Sequence, residues 1–446
     1  MKKEIELTNG SLWKNILFYS LPLMFSNVLQ VVFNMADVAV VGKFAGSIAL
    51  GGVGSTSILI TLFTGLLIGL ANGVNALTAL YTGSQKPQHV EQTVHTSVIL
   101  CAIAGILISI FGIIFSQPIL SLLNTKDVLM ADALLYLRVY LLGMPALAIF
   151  NFGNAVLSAI GDTKRPLIYL SCAGVINIIL NLFFVIVCHL GVMGVALASI
   201  ISQYISACCI ILYLARSKEV YALSFKKLRI YPDKAKAVLR IGIPASVQYA
   251  IFAVANLFVQ TSVNSFDHTV VEGNSAAANA DPFVYDMMAA FYTACASFIA
   301  QNYGAQKKSR IMKSYLISLL YSFLLGLILG VALYIFHTPF LYLFTNDAAV
   351  AQAGTKRLMV MALSYAVSAF MDCSIAASRG LGKTIFPTIT VIMGSCVFRI
   401  VWIYTVFAHF RTIESLYLLY VFSWAITAVF EIIYFLWTYK KIRPAD

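Results

Sequence analysis

The sequence predicts an all-α integral membrane protein: twelve transmembrane helices in two six-helix bundles related by an internal repeat. Three observations carry that prediction. The 446-residue chain is 60% apolar and only 11% charged, with a mean hydropathy of +0.88, well outside soluble composition. Its apolar runs are long and unbroken, whereas a membrane barrel, the other structure lipid admits, would alternate apolar and polar residues. Landmark residues of the first half also recur in the second at constant spacing. Twelve spans of about 20 residues each take up most of the chain, which excludes a large catalytic or nucleic-acid-binding domain.

Apolar runs between polar breaks place helices near 14–41, 48–81, 91–115, 133–156, 166–188, 191–214, 238–264, 277–303, 314–336, 354–378, 386–408 and 414–438. Met1 to Gly10 is mostly polar and no small-residue cleavage site follows the first run, so that span is expected to be retained. With both termini cytoplasmic, 23 of the 30 basic residues fall in inside segments, among them Lys2, Lys3, Lys14, Arg443 and eight residues between Arg216 and Arg240. Outside segments hold six (Lys43, Lys126, Arg138, Lys356, Arg357 and Arg411), and Arg399 lies mid-span. This asymmetry sets the orientation. The net charge of +12 is spread over seven inside segments, which favours anionic membrane lipid, and not nucleic acid, as its electrostatic partner.

The repeat is read from residues with restricted or permissive backbones. Gly83-Ser84-Gln85-Lys86 matches Gly304-Ala305-Gln306-Lys307, Pro118 matches Pro339, Gly161 matches Gly382, Thr163 matches Thr384 and Pro166 matches Pro387, each pair 221 apart. Pro22 and Pro244 are 222 apart, one indel away from that register. The implied domains are an amino-terminal lobe over 1–214, a basic cytoplasmic connector over 215–237 and a carboxy-terminal lobe over 238–446. Parallel repeats of even helix number imply a pseudo-two-fold axis along the membrane normal, and such halves can rock about a central cavity. That architecture favours a transporter.

Several motifs reduce to structure. Ala377–Thr384 resembles a phosphate-binding loop ending in Gly-Lys-Thr, but it lies between membrane helices with no preceding strand and matches Ser158–Thr163 of the other half, so a tight turn is expected. Gly65, Gly69 and Gly73, and Gly326 and Gly330, have the small-xxx-small spacing of close helix approach. The eight cysteines show no CxxC spacing, which argues against a zinc site or a disulfide framework, and they are expected to pack in the core. The six histidines fall mostly in loops or at span ends, so no histidine metal cluster is expected.

Ionisable residues at membrane depth are more informative, because a mid-bilayer charge costs at least about 2.5–3.5 kcal/mol. Asp37 lies near the outer end of the first helix, Asp286 in the eighth, Asp372 in the tenth and Glu431 late in the twelfth. Glu431 is expected to snorkel toward the cytoplasmic side. Arg399 is expected to pair within its own bundle or face the cavity; Asp286, Asp372, Gln248 and Asn256 complete the candidate cavity set. Near Asp37, Asn177 and Asn181 are i and i+4 on the fifth helix and present two amides on one face. Ser199 lies on the next helix. A carboxylate, two amide oxygens and a hydroxyl make either an oxygen-lined cage for Na⁺ at Asp37, Asn177 and Asn181 or a hydrogen-bonded seat for a protonatable Asp.

Ala36-Asp37 followed by Val41-Gly42, the Asn177–Asn181 stretch with Gly191–Gly194, Phe283-Val284-Tyr285, Gln301-Asn302-Tyr303-Gly304, Arg379–Gly382 and Arg399–Trp402 in this order resemble the multidrug and toxic compound extrusion family. Its superfamily also contains lipid-linked oligosaccharide flippases. The resemblance spans nearly the whole chain and implies that Asp37, Asn177, Asn181 and Ser199 form the cation or proton site of the amino-terminal lobe. Many members carry Asp where this chain has Asn181, which leaves the coupling ion open between H⁺ and Na⁺.

The expected function is therefore a secondary active antiporter that exports amphipathic, often cationic organic compounds by alternating access, without a cofactor. It is expected in the plasma (inner) membrane, as a monomer. A flippase of a lipid-linked substrate is the alternative, and it should need several basic residues facing the cavity. A polytopic membrane enzyme would need a clustered His/Asp/Glu or Cys/His constellation at one membrane face, which the sequence does not present.

Overall fold

The computed structural model describes residues 5–442; Lys2, Lys3 and Arg443 of the basic set lie outside them. The first half comprises α1 (Leu12–Val40), α2 (Ser47–Gly83), α3 (Pro87–Leu122), α4 (Asp127–Leu141), α5 (Met144–Ala159), α6 (Lys164–Leu182) and α7 (Gly191–Arg216). The second comprises α8 (Pro232–Val263), α9 (His268–Ala278), α10 (Ala280–Gly304), α11 (Lys308–Ile335), α12 (His337–Leu341), α13 (Ala348–Gly380), α14 (Ile385–Val391), α15 (Phe398–Trp402), α16 (Ala408–Phe410) and α17 (Ile413–Lys440). Wider π-helical turns continue α1 over Val41–Ala45 and α6 over Phe183–Val187, and join α14 to α16 through Ile392–Val397 and Ile403–Phe407. Among the described residues, eleven helical stretches are long and apolar enough to cross a membrane, and the bent pair α4 and α5, taken as one span, makes twelve.

Two of the expected spans differ in detail. The fourth, read as one helix over 133–156, is bent by 46° between α4 and α5. Pro145 stands in the first turn of α5, where its missing N–H leaves no helical bond to Leu141, and Leu142 and Gly143 close a tighter turn onto Val139 and Tyr140. The eighth starts earlier, at His268, and breaks at Asn279 between α9 and α10.

The backbone repeats with the sequence. Gln85 and Gln306 have φ of 52° and 57°, and Gly161 and Gly382 have 96° and 72°, the left-handed region at matched positions 221 apart. The segment ending in Gly-Lys-Thr is accordingly the turn between α13 and α14.

The described chain divides into two compact units, one of Phe25–Ala250, the other of Glu6–Met24 with 251–442. These limits differ from the 1–214, 215–237 and 238–446 read from the sequence. The cuts fall within α1 and α8, each within two turns of a helix-internal proline, Pro22 or Pro244, where the interrupted backbone ladder lets the two ends of a helix serve different cores.

In the first unit α2 packs on α3, α4 and α5. The glycine stripe of α2 meets α8: a Cβ on Gly69 would lie 2.3 Å from the Ser246 backbone, and one on Gly73 2.5 Å from the Val238 carbonyl. Ser246 Oγ donates to the Leu66 carbonyl across the same contact, at 2.6 Å. The basic connector is held to this unit. The Tyr221 and Leu223 side chains are buried in its core, the Ser224 amide donates to His95 Nε2 at 3.0 Å, and Lys227 pairs with Glu91 at 2.8 Å.

In the second unit α13 is central, packed on α9, α10, α11 and α17. Gly330 admits α13 so closely that a Cβ there would lie 1.9 Å from the Ala362 carbonyl. Exposed Ile114, Ile328 and Ile433 are typical of helix faces that lipid can cover. All eight cysteines are free thiols; Cys101, Cys295 and Cys373 are buried in the core as expected, whereas Cys172, Cys188 and Cys208 are exposed, which corrects the core-packing expectation for those three.

Candidate ion and substrate sites

The four residues proposed around Asp37 meet inside the first unit. Asp37 is 9% exposed, Asn177 and Ser199 5% each, and Asn181 is fully buried. Asn181 Nδ2 donates to Asp37 Oδ1 and, at 3.2 Å, to Asn177 Oδ1. Ser199 Oγ donates to Asp37 Oδ2 at 3.0 Å, and Asn177 Nδ2 reaches Ser199 Oγ at 3.5 Å. Both carboxylate oxygens are thus held by neutral donors from α6 and α7. From α4, Tyr136 and Tyr140 lie within electrostatic reach of Asp37.

Local sequence explains the convergence. The i, i+4 spacing puts both amides on one face of α6. One turn before Asn177 stands Gly174, where a Cβ would sit 1.8 Å from the ring of Phe33, itself one turn before Asp37. Only a bare backbone lets α1 approach so near. Beyond the site both helices widen into their π turns, at Val41 and Phe183, a winding often found at functional sites. Val40, Val41, Val53, Val185 and Val195 form an apolar cluster with Tyr136 beside them, which limits water around the carboxylate. Gly174→Leu should drive Phe33 out and part Asp37 from its amides, an overpacking cost of about 1–3 kcal/mol. Apparent melting temperature in detergent should fall, and Phe33→Ala in the same chain should restore part of the loss; an unchanged melting temperature would refute this packing account.

The arrangement offers two chemistries for one seat. As oriented, Asn181 donates to Asp37, and its own Oδ1 is buried without a hydrogen-bond partner. Turned half a rotation about its terminal bond, the amide presents that oxygen to a cation beside Asp37, together with Asn177 Oδ1 and Ser199 Oγ. The donor set therefore fits a proton on Asp37 and fits Na⁺ at Asp37, Asn177 and Asn181.

The candidate cavity residues are divided between the two units. Gln248 is buried on α8 within the first unit, whereas Asn256, Asp286, Asp372 and Arg399 belong to the second. Arg399 is 2% exposed. It donates from Nη1 to Asn256 Oδ1 at 2.9 Å and from Nε to Ser423 Oγ at 3.3 Å, and its guanidinium lies 4.6 Å from the Tyr420 ring centroid. It is thus bound within the second unit by an amide oxygen and a hydroxyl, and not by the acid or backbone carbonyls that a structural role suggested. Asp286 and Asp372 are half-buried on α10 and α13. Asp372 lies beside Tyr292 and within reach of Arg379. Tyr285 senses Asp372 and Arg399 and meets Tyr365 and Trp424 edge-on, giving the unit an aromatic layer.

One expectation is corrected. Glu431 does not snorkel: it is fully buried on α17, with neither carboxylate oxygen in a hydrogen bond among the described residues. Arg357, counted with the outside charges at the start of the expected tenth helix, stands in the third turn of α13, 4% exposed. It donates to Asp281 Oδ2 at 2.6 Å and to Asn274 Oδ1 at 2.9 Å, while Tyr365 Oη donates to Asp281 Oδ1 at 2.5 Å. Asp281 and Asn274 were missing from the sequence-based set. Asp281, an acid inside the expected span 277–303, was the available signal; Asn274 lies before that span, on α9.

Comparison with known proteins agrees with the repeat. A family model described as MatE matches residues 22–183 and again 244–405, stretches that start 222 residues apart, as Pro22 and Pro244 do. The probable multidrug resistance protein YpnP of Bacillus subtilis is 28% identical over 309 residues, 69% of each chain. The FAD transporter of Shewanella oneidensis is 24% identical over 82% of this chain and 81% of its own. Among solved structures, a MOP superfamily transporter from Pyrococcus furiosus shares the fold with a TM-score of 0.93 at 21% identity, over 100% of both chains. A multidrug resistance MATE family transporter in an outward-facing conformation gives 0.91 over 99% of each. With its family model matched twice, once in each half of the repeat, the chain belongs to the MatE family, the multidrug and toxic compound extrusion transporters of multi-pass membrane architecture.

Proposed function

We propose that this protein is a secondary active antiporter that exports amphipathic, often cationic organic compounds in exchange for H⁺ or Na⁺, by alternating access of its two lobes. The observation that carries the reading is the Asp37 seat: a buried carboxylate in a membrane helix, held by a neutral hydroxyl and neutral amides and with no basic partner among the described residues. A permanent ion pair would neutralise such a group once and for all; neutral donors leave it to be neutralised by whichever cation arrives. The plasma membrane is the proposed location, and the 23-to-6 distribution of basic residues supports both termini on its cytoplasmic side.

Relatives differ in cargo: two Bacillus subtilis relatives are named probable multidrug resistance proteins and the Shewanella relative an FAD transporter. Organic cations are favoured here. The second unit carries Asp286 and Asp372 as half-buried carboxylates on α10 and α13, and its guanidinia Arg357 and Arg399 are bound, by Asp281 and by Asn256 and Ser423. The same engagement weighs against a flippase of an anionic lipid-linked substrate.

Everted vesicles carrying the protein should accumulate an organic cation against its gradient when either ΔpH or ΔNa⁺ alone is imposed. An imposed difference of about one pH unit supports roughly tenfold accumulation at one-for-one exchange, since tenfold corresponds to about 1.4 kcal/mol. No accumulation under either gradient, or accumulation of an anionic dinucleotide in place of the cation, would overturn the proposal.

A further inference from the structure

We propose that Glu431 is a proton relay inside the second unit, at the centre of a hydrated polar tract that leads from Asp372 to the end of the unit marked by Arg379 and Thr438. Glu431 is fully buried, and neither of its carboxylate oxygens has a hydrogen-bond partner among the described residues. A carboxyl in a membrane helix is costly to leave in that state, and buried polar groups without protein partners are the groups that internal water serves.

Glu431 does not stand alone. On its own helix, Thr427 and Thr438 flank it at i−4 and i+7 and are buried, so one face of α17 carries a polar line. On α11, Ser314 and Ser318, also i and i+4, are fully buried with hydroxyls that find no partner, as are Ser378 on α13 and Thr438. Both α11 and α17 pack along α13, and they meet through Tyr315 and Phe435, whose rings lie 4.5 Å apart. Phe435 is one turn from Glu431, and Ser318 is one turn from Tyr315. Tyr315 Oη and Ser374 Oγ are 2.8 Å apart, which ties the same level to α13, two residues from Asp372.

The charged groups acting on Glu431 both come from α13. They are Arg379 and Asp372. The side chains of α14 are uncharged; of the adjoining turns, Cys396 points its thiol to the Ile251 carbonyl at 3.3 Å and Tyr404 is exposed. Arg399 of α15 is bonded to Ser423, two turns from Glu431. This setting favours a proton over a metal cation. Arg379 repels a resident cation but does not hinder a proton that neutralises the carboxylate, and serine and threonine hydroxyls both donate and accept, as a water chain does. A proton entering from the Arg379 end joins one Glu431 oxygen, giving the neutral acid. The same O–H proton then passes through water to the Asp372 carboxylate, and Glu431 returns to the anion facing Arg379.

The inference deepens the antiport reading, but its test reads the carboxyl itself, so failure of efflux and failure of the relay are distinguishable. Full-length protein reconstituted in liposomes is followed by infrared difference spectroscopy on switching pH and on exchange into D₂O. The expected result is a protonated-carboxyl band that titrates with pH, ignores Na⁺ at constant pH and is absent from Glu431→Gln. Ser318→Leu, which plugs the tract without touching the acid, should keep the band and slow its D₂O exchange at least tenfold. If Glu431→Gln does not reach the membrane, Glu431→Asp should shift the same band. A band unchanged in the Glu431 variants, displaced by Na⁺ at fixed pH, or exchanging as fast in Ser318→Leu would overturn the relay.

Discussion

Asp37→Asn should abolish uphill efflux while leaving the protein folded and able to bind cargo. Gradient-driven transport is expected to fall by about 100-fold, near the upper end of coupling free energies of roughly 1–3 kcal/mol. The geometry says why binding and fold should survive. The amide is isosteric, its oxygen can accept from Asn181 in place of Asp37 Oδ1, and its nitrogen can donate to Ser199, whose hydroxyl turns to accept. What is lost is the charge. A ligand shifts an equilibrium between two conformations only by its differential affinity for them, and a side chain that binds neither H⁺ nor Na⁺ supplies none. Cargo affinity should stay within about threefold, since that change is below 1 kcal/mol. Asn181→Asp should act oppositely, adding a carboxylate beside Asp37 and strengthening dependence on Na⁺. Both are checked by efflux in a pump-deficient host with pH and Na⁺ varied independently. Full uphill efflux by Asp37→Asn at normal expression would remove the coupling role from this site and direct attention to Asp286 and Asp372.

The Asp37 site was legible because each part has a signature that survives in one dimension. A lone acid in an apolar run is conspicuous, i and i+4 asparagines share a face whatever the fold, and the 221-residue repeat fixes which helices correspond. The second unit was less legible for a physical reason. In a membrane bundle the lipid-facing and interior faces are both apolar, so hydropathy does not say which side of α17 Glu431 occupies, and nearness to a span end suggested snorkelling. Packing decides otherwise: Phe435 one turn on is fully buried against Tyr315, so that face points inward. Arg357 was hard to single out for a related reason. With the expected helix starting at 354, Lys356 and Arg357 read alike as outside charges in its first turn; α13 starts at Ala348, which leaves Lys356 half in solvent on Glu414 and turns Arg357 inward onto Asp281.

Breaking that inward pair should be the most destabilising single change in the second unit, and the two halves of the pair should not be equivalent. Arg357 is held by Asp281 and Asn274 and lies beside the rings of Tyr417 and Tyr420, at 5.5 and 5.7 Å. Its side chain is 5% exposed against 26% for Asp281. Asp281→Leu leaves a guanidinium buried without its counter-charge and also strips Tyr365 of its acceptor, a cost of about 3–5 kcal/mol. Arg357→Leu leaves a carboxylate that is already partly exposed and still hydrogen-bonded by Tyr365, so its cost should be smaller, nearer about 2 kcal/mol. The double variant should recover part of the loss, because a well-packed apolar pair of similar volume can replace a buried ion pair at little cost. Apparent melting temperatures of the four proteins in detergent give the cycle, and partners in contact should show an interaction of at least about 1 kcal/mol. Additive losses would mean that the charges act independently and that Asn274 and the tyrosines hold α9 and α10 to α13. Equal losses from the two single variants would mean that the exposed side of Asp281 gains nothing from solvent, so the network is drier than its 26% exposure implies.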